Sequence, residues 1–574
     1  MNKFYYLYPK RAKQSKFMPL KTIIATLNAK YIHTSLALRW LYVANKDRFD
    51  IKFKEYTIKE DIKTIANDLL ASGCNCVGLG VYIWNVEKIK SLVSYLRQQK
   101  PDITLILGGP EVSYEPEYFL QHLPVDYIIG GEGEFVLGEL LYALENNKTT
   151  AIPGVSSVHE ISRETARADV EKLSQLPSPY QLPEDVESRS NRLIYFETSR
   201  GCPYRCSYCL SSLEKGIRYF PEEYVKENLL HLIQNDVKQV KFTDRTFNLN
   251  WSKTRPVFDF LIDNYREKLS CQFEIYADLL TDEIIDYLNN RLPKHFFRFE
   301  IGIQSTFEKS NEAVNRKQDF NLVTHNINRL IQGGKIDLHL DLIAGLPYET
   351  YERFVQSVNS VFAFRAKEFQ LGFLKMLRGT ILRKEAQKYG YLYQEHAPYE
   401  LIAHRDLSAD ALDKIRKAEN AIDKYWNSGR FTRSLNTLFD IFYHNRYFEI
   451  FLELAEFSET QPPKTPSLEE SYACLHRFLI AKNIHLLEAL RNDYYDNFST
   501  RPTTAFWEDR LDKLERKRLL HQISADNDFL LKNELSAYNI KKQTTIDRLS
   551  DKEYLLTVFL PDGRKQMVYS NVGA

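Results

Sequence analysis

The chain has 574 residues, 44% of them apolar and 13% aromatic, which is more than one hydrophobic core usually serves and enough to pack two to four domains. Lysine plus arginine number 77 against 76 for aspartate plus glutamate, so no excess of positive charge exists to neutralise a long nucleic-acid backbone, and nucleic acid is argued against as a partner. No apolar run reaches the ~18 residues of a membrane span, and residues 1–17 lack the apolar centre of a secretory signal, so a cytoplasmic protein with no membrane partner is expected.

Residues 1–20 form an N-terminal tail with no assigned role. From Lys21 to about Glu145, short apolar runs (TIIATL, CVGLGVYIW, ITLILGG, VDYIIGG) alternate with helical spacing, as in Ala37, Trp40, Leu41 and Ala44 and again in Ile89, Leu92, Val93 and Leu96. That alternation predicts a doubly wound, Rossmann-like parallel sheet over residues 21–150. Residues 151–190 lose the rhythm and gain Pro153, Pro177, Pro179 and Pro183, the mark of an interdomain connection.

A second α/β domain is expected over residues 191–390, with six strand candidates: LIYFET, VKQVKFT, CQFEIYADL, FFRFEIGIQ, DLHLDLIAGLP and FQLGFLKML. Alternation places Gln272, Glu274, Tyr276 and Asp278 on one face, with Arg298, Glu300, Gly302 and Gln304 on the next strand and Asp337, His339, Asp341 and Gly345 on the one after. The opposite faces are apolar. A small closed barrel fills its lumen with branched apolar side chains, so repeated polar groups predict a partial, TIM-like (β/α)6 barrel around a polar ligand. Residues 391–574 read as a mainly helical domain ending in a β-hairpin, YLLTVFL-PDG-RKQMVYS.

Seven cysteines, an odd number, argue for reduced thiols over a disulfide framework. Three are clustered as Cys202-Pro-Tyr-Arg-Cys206-Ser-Tyr-Cys209, directly after the strand LIYFETSRG. Three thiolates can ligate three irons of a cubane and leave the fourth iron open; zinc or an electron-transfer cluster would want a fourth ligand, and the loop has none. Cys74 and Cys76, Cys271 and Cys474 read as core residues.

Here the sequence resembles the radical S-adenosylmethionine superfamily, whose CxxxCxxC motif with an aromatic before the third cysteine is matched by Cys202, Cys206, Tyr208 and Cys209. The resemblance implies a 4Fe-4S cluster on the three cysteines and S-adenosylmethionine on the open iron. EIGIQS, Asn315-Arg316 and DLIAGLP look like the family's later strands, which makes Glu300, Gln304, Arg316 and Asp341 candidates for contacting that cofactor. The family's Gly-Gly-Glu stretch reads Thr243-Asp244-Arg245 here, leaving the amine partner open; Asp244, Glu274 and Asp278 are the candidate catalytic carboxylates.

The first domain resembles the cobalamin-binding domain that precedes the radical domain in one branch of the superfamily. The likeness rests on Asn28 to Ser35, Tyr82-Ile83-Trp84-Asn85, Gly108-Gly109-Pro110-Glu111 and Gly130-Gly131-Glu132-Gly133-Glu134. It implies that Asn28, His33, Tyr82, Trp84, Gly108, Gly109 and Glu132 bind cobalamin. The Asp-x-His-x-x-Gly loop that ligates cobalt from below is absent, and a hydrogen-bonding role for His33 is favoured over cobalt ligation. The branch implies a methyltransferase that acts on a small-molecule substrate and is reduced by an electron donor such as flavodoxin or ferredoxin. A non-methylating rearrangement enzyme with the same cofactors, or a cobalamin or cluster sensor without turnover, are the alternatives; transfer-RNA modification is disfavoured by the lack of a second cysteine triad.

Overall fold

The computed structural model describes residues 20–214, 216–461, 467–502, 505–507, 511–550 and 552–570. Residues 1–19, nearly all of the N-terminal tail named above, lie outside the described residues. The chain divides into two compact units, residues 1–349 with 372–408, and residues 350–371 with 409–574.

In the first unit, β1 (Lys21–Asn28), β2 (Asp50–Thr57), β3 (Cys76–Gly80), β4 (Thr104–Gly108), β5 (Tyr127–Ile129) and β6 (Val155–Ser157) form one sheet in the order β2-β1-β3-β4-β5-β6. All neighbours are parallel except β6 on β5. Alternate residues of β1 point to opposite sides: Ile23, Ala25 and Leu27 pack with Ile65, Leu69, Leu92 and Leu96, while Ile24 packs with Leu38, Leu137 and Leu141. Helices therefore cover both faces, the doubly wound arrangement expected. Two strands escape the sequence pattern. β2 is an edge strand whose Lys52, Lys54 and Glu55 break the apolar run, and β6 lies in the proline-bearing stretch read as a connection; that stretch in fact returns to close the first sheet, with Ala166 bridged to Gly131.

The second sheet begins with β7 (Ile194–Phe196). Past it, β8 (Ser199–Arg200) pairs antiparallel with β9 (Arg218–Tyr219), so the cysteine loop is pinned at both ends. Four further strands follow: β10 (Gln239–Phe242), β11 (Ser270–Ile275), β12 (Phe297–Gln304) and β13 (Asp337–Ala344). They run in the order β13-β12-β11-β10-β7, all parallel. The sixth expected strand, β14 (Glu368–Phe373), forms as well and straddles the division between the units. Phe258 of the helix Trp251–Asp263 packs on Phe273 and Phe297 at ring separations of 5.1 and 4.9 Å, which buries the apolar face and leaves the polar one inward. Cys74, Cys76 and Cys271 are fully buried in these cores.

The second unit is mainly helical and ends in a three-stranded antiparallel sheet, β17 (Thr544–Arg548), β18 (Glu553–Leu560) and β19 (Gly563–Ser570), whose last two strands are the expected hairpin; β15 (Leu392–Tyr393) and β16 (Leu401–Ala403) precede it in the first unit. The helix Tyr351–Phe362 belongs here and not with the barrel. Its Phe362 sits among Phe369, Trp426, Phe439, Tyr447 and Phe451, an aromatic core that outweighs the sequence proximity to β13.

Candidate functional site

Every candidate residue lies in the first unit, on the strands of its two parallel sheets or in the segments that connect them. In the first sheet the strand order reverses between β1 and β3, so the loops after them flank the crevice where ligands of such sheets bind. Tyr31 and Ile32 project there with 64% and 41% of their surface exposed, and Trp84 with 48%. Trp84 stacks on Tyr82 at 4.5 Å and donates its indole N–H to Leu27 O, so a flat apolar surface is held out of the core by its own backbone bond.

Asn28 and Asn85 brace this platform from below. Asn28 Nδ2 donates to His33 O and to Glu55, both at 3.0 Å; Asn85 Nδ2 donates to Leu27 O and Gly80 O, both at 3.1 Å. His33 Nδ1 is paired with the Tyr195 hydroxyl at 2.9 Å, and burial with nearby Lys30, Lys241 and Arg192 lowers its pKa, favouring the neutral ring. Gly109 takes φ 107°, and a Cβ there would stand 2.6 Å from Val81 O; its bareness admits the chain's own backbone. Gly108 is different: its Cβ would meet Ile129 O at 3.6 Å, an ordinary contact. Glu132 is committed to Arg218 and to the Ala168 N–H, and its Oε2 lies 3.5 Å from Arg200. These bonds tie the first domain to the strands that flank the cysteine loop.

Cys202 and Cys206 are buried and Cys209 is partly exposed, all three as free thiols. Gly201, at φ 95°, lets the loop leave β8 under the Gly216 carbonyl. Ser207 N donates to Val314 O at 2.9 Å and Ser207 O accepts from Leu382 N at 2.9 Å. Burial pushes the Cys202 and Cys206 thiols up, and the Arg316 guanidinium, hydrogen-bonded to Cys206, draws that thiol back toward the thiolate. The Tyr208 hydroxyl also hydrogen-bonds Cys206. Arg316 is buried, donates to Gly302 O and lies 4.8 Å over the Tyr276 ring, which itself stacks on Tyr204 at 4.5 Å. Among the described residues no group of three or more His, Cys, Asp or Glu is drawn together around a single metal ion; a cubane spreads its thiolates over three irons, and three thiols without a fourth ligand suit that cluster with one iron open.

The inward face of the second sheet carries the expected polar rows. Register sets Lys241, Gln272, Arg298 and Asp337 side by side, then Glu274, Glu300 and His339. Glu300 is engaged by Lys241 at 2.9 and 3.0 Å and by Gln272, so it serves the sheet first. His339 is held by Arg298 at 2.6 Å and by Asp341 at 2.9 Å. Gln304 adopts φ 69° at an irregularity where β12 bends, which folds its side chain back over Gly302. Asp278 accepts from Asp319 N at 2.8 Å. Asp244 is buried and accepts from Thr198 N, Thr198 Oγ1 and Ser199 Oγ at 3.0, 2.6 and 2.6 Å; burial nonetheless pushes its carboxyl up to about 6. All three acceptor bonds go to the strand step before the cysteine loop, so Asp244 staples that step. Of the three candidate catalytic carboxylates, only Glu274 lacks a hydrogen bond or ion pair among the described residues, and burial raises its pKa.

Sequence reasoning named the loop Asn28 to Ser35 without singling out Tyr31 and Ile32, and it missed Lys241 and Tyr195. Alternation along LIYFET would have placed Tyr195 on the polar face beside Lys241, its register partner. Nothing in the sequence shows that Tyr195 reaches His33.

Three family models match the chain: a B12 binding domain over residues 22–141, the Radical SAM superfamily over 196–361, and a family described as a protein of unknown function, DUF4080, over 387–557. The chain is 27% identical over 316 residues to the cobalamin-dependent radical SAM methyltransferase TokK of Streptomyces tokunonensis, covering 51% of this chain and 44% of that one. It thus spans under half the length of that relative. Its fold is similar to that of the cobalamin-dependent S-adenosylmethionine radical enzyme OxsB, with TM-score 0.59 and 16% identity over 91% of this chain and 83% of the other. The radical S-adenosylmethionine methyltransferase TsrM of Kitasatospora setae matches with TM-score 0.55 and 19% identity over 67% and 79%. No helix among the described residues is long and apolar enough to cross a membrane.

Proposed function

From a chain made of a B12 binding domain followed by a domain of the Radical SAM superfamily, we propose an enzyme that uses a 4Fe-4S cluster, S-adenosylmethionine and cobalamin to methylate an unactivated centre of a small-molecule substrate. The observation that carries this reading is the three-thiol loop without a fourth ligand, pinned at the carboxyl end of a parallel sheet whose inner face is polar. Bound here, the cluster would supply reductive cleavage of S-adenosylmethionine and the corrinoid a transferable methyl group.

The chain's own residues have definable parts. Cys202, Cys206 and Cys209 hold the iron, Arg316 and Tyr208 orient Cys206, and Asp244 fixes the strand step that delivers the loop. Tyr31, Ile32 and Trp84 offer the corrinoid its apolar bed, with Tyr82, Asn28, Gly108 and Gly109 beneath or beside it. His33, whose Nδ1 is taken by Tyr195, supports the platform from its edge. Gln304, Glu300 and Asp341 line the inner face of the second sheet, and the enzyme works in the cytoplasm with an electron donor such as flavodoxin or ferredoxin.

The test is anaerobic reconstitution with iron, sulfide and hydroxocobalamin, followed by reduction with S-adenosylmethionine. Formation of 5′-deoxyadenosine and S-adenosylhomocysteine with retained corrinoid, all product lost in Cys206→Ala, is the expected result. A cluster that assembles while neither product forms would sink the proposal.

A further inference from the structure

Arg378, in the segment that follows β14, is 5% exposed and so is a guanidinium taken almost wholly out of water. It donates to Glu115 and, through Nε, to the Tyr399 hydroxyl at 2.9 Å; that hydroxyl donates in turn to Glu111, whose carboxylate lies 3.4 Å from the same Nε. The planar cation also lies 4.0 Å over the Tyr118 ring. Glu111, Glu115 and Tyr118 belong to the loop after β4 and the helix Pro116–His122 that it enters, just beyond Gly108 and Gly109. The backbone meets this loop as well: Gly379 N donates to Glu115 at 3.3 Å, and a Cβ on Gly379 would collide with Tyr114.

Four residues further on, the same segment reaches the cysteine loop. Leu382 N donates to Ser207 O at 2.9 Å, and Ser207 adjoins Cys206. The piece between is stiff: the Thr380 side chain caps the short helix Ile381–Lys384 by accepting from Arg383 N, its hydroxyl donates to Leu377 O at 2.7 Å, and the Arg383 guanidinium donates to Met376 O. Four residues reach at most roughly 14 Å, so the loop after β4 and the cysteine loop cannot drift apart while both ends hold. All of these residues belong to the first unit.

A buried ion pair costs desolvation that an apolar joint of the same volume avoids, and what it offers in exchange is a single register. We propose that Arg378 is a positioning residue: by clamping Glu111 and Glu115 while Leu382 holds Ser207, it sets one separation and one orientation between the corrinoid and the cluster. This rests on the function proposed above and goes beyond it by naming what fixes the two cofactors relative to each other. Both must address one substrate, and a misplacement of about 1 Å, even from a change far from the chemistry, can cost on the order of a hundredfold in rate. Arg378 touches neither thiol nor corrinoid bed; it acts through the two loops.

The test uses the full chain reconstituted with iron, sulfide and hydroxocobalamin and poised by a redox mediator so that cobalt and cluster each carry an unpaired electron. Wild type is compared with Arg378→Gln, Arg378→Lys and Tyr399→Phe. Electron paramagnetic resonance reads the spin coupling between the two centres, which follows their separation and orientation and not the stability of the fold; iron and corrinoid content on the same samples show which variants fold and load. Wild type should give a single coupling and Arg378→Gln a spread of couplings at unchanged iron and corrinoid. Arg378→Lys, which keeps a charge for Glu115 but lacks the second donor for Tyr399, should fall between. Tyr399→Phe loses only the hydroxyl that joins Arg378 to Glu111 and keeps the ring, and it should shift the same way by less. Where Arg378→Gln does not load, Tyr399→Phe decides alone. The wild-type coupling in the loaded variants overturns the inference, whereas a wild type that cannot hold cluster and corrinoid together overturns the proposed function, and the inference with it.

Discussion

Gly108 and Gly109 offer a direct way to separate packing from ligand binding at the end of β4. An alanine at 109 must hold its residue at φ 107°, which costs on the order of 1–3 kcal/mol for a side chain bearing Cβ. Its Cβ would lie 2.6 Å from Val81 O, and real Cβ contacts essentially never fall under 3.0 Å. Val81 cannot give way cheaply, because its N–H donates to Gly108 O at 2.7 Å and its carbonyl accepts from Glu111 N at 3.4 Å. Overpacking adds roughly 1–3 kcal/mol, so Gly109→Ala should destabilise the apoprotein by about 2–6 kcal/mol in all. Gly108→Ala meets only an ordinary contact of 3.6 Å and should leave the apoprotein near wild type. Urea unfolding of both variants without corrinoid, followed by tryptophan fluorescence, measures this directly, since buried Trp40 and half-exposed Trp84 both belong to this domain. Hydroxocobalamin retention is read on the same samples. An apo Gly109→Ala protein that unfolds with wild type while its corrinoid affinity alone falls would show that the glycine serves the ligand, and the packing account would be wrong.

Asp244 predicts a pH effect of definite sign. Its folded value of about 6 lies above the ordinary 3.8, so folding takes up a proton and the associated stability, full below 3.8, is lost as pH rises through about 6. Asp244→Asn has no proton to release, so between about pH 4 and about pH 7 it should gain roughly 3 kcal/mol relative to wild type in urea unfolding; parallel curves would refute the burial account. Trp84→Ala removes the exposed ring stacked on Tyr82, and corrinoid retention should fall several-fold with iron content unchanged; equal retention would remove the platform from the site. Arg316→Lys cannot reach Cys206 and Gly302 O while lying over the Tyr276 ring, so reconstituted iron should drop while corrinoid binding holds. Full iron content in that variant would show that Arg316 does not order the loop.

Much of the site was legible because its signals are local. The spacing of Cys202, Cys206 and Cys209 is a property of eight consecutive residues, and strand alternation alone placed Glu274, Glu300, His339 and Asp341 on one face, as the alternating burial of β11 and β12 and the register of β12 with β13 bear out. What those residues do to one another was not legible. Asp244 and Glu274 look alike as acids near strand ends, yet the first is consumed by Thr198 and Ser199, 46 and 45 residues away, and the second is left without a partner. Glu300 was read as a cofactor contact; its pairing with Lys241 depends on two strands 59 residues apart being brought together.

The sequence by itself determined the two α/β domains, the helical remainder and the loop that carries the thiols, because hydrophobic period and cysteine spacing act within a few residues of chain. Only the tertiary structure decided that residues 155–157 return to the first sheet, that the helix Tyr351–Phe362 joins the second unit, that His33 is bonded to Tyr195, and that Lys241 is taken by Glu300. Each of those outcomes is a competition for partners among groups far apart in sequence, and such a competition is resolved only when strand order and register set which groups meet.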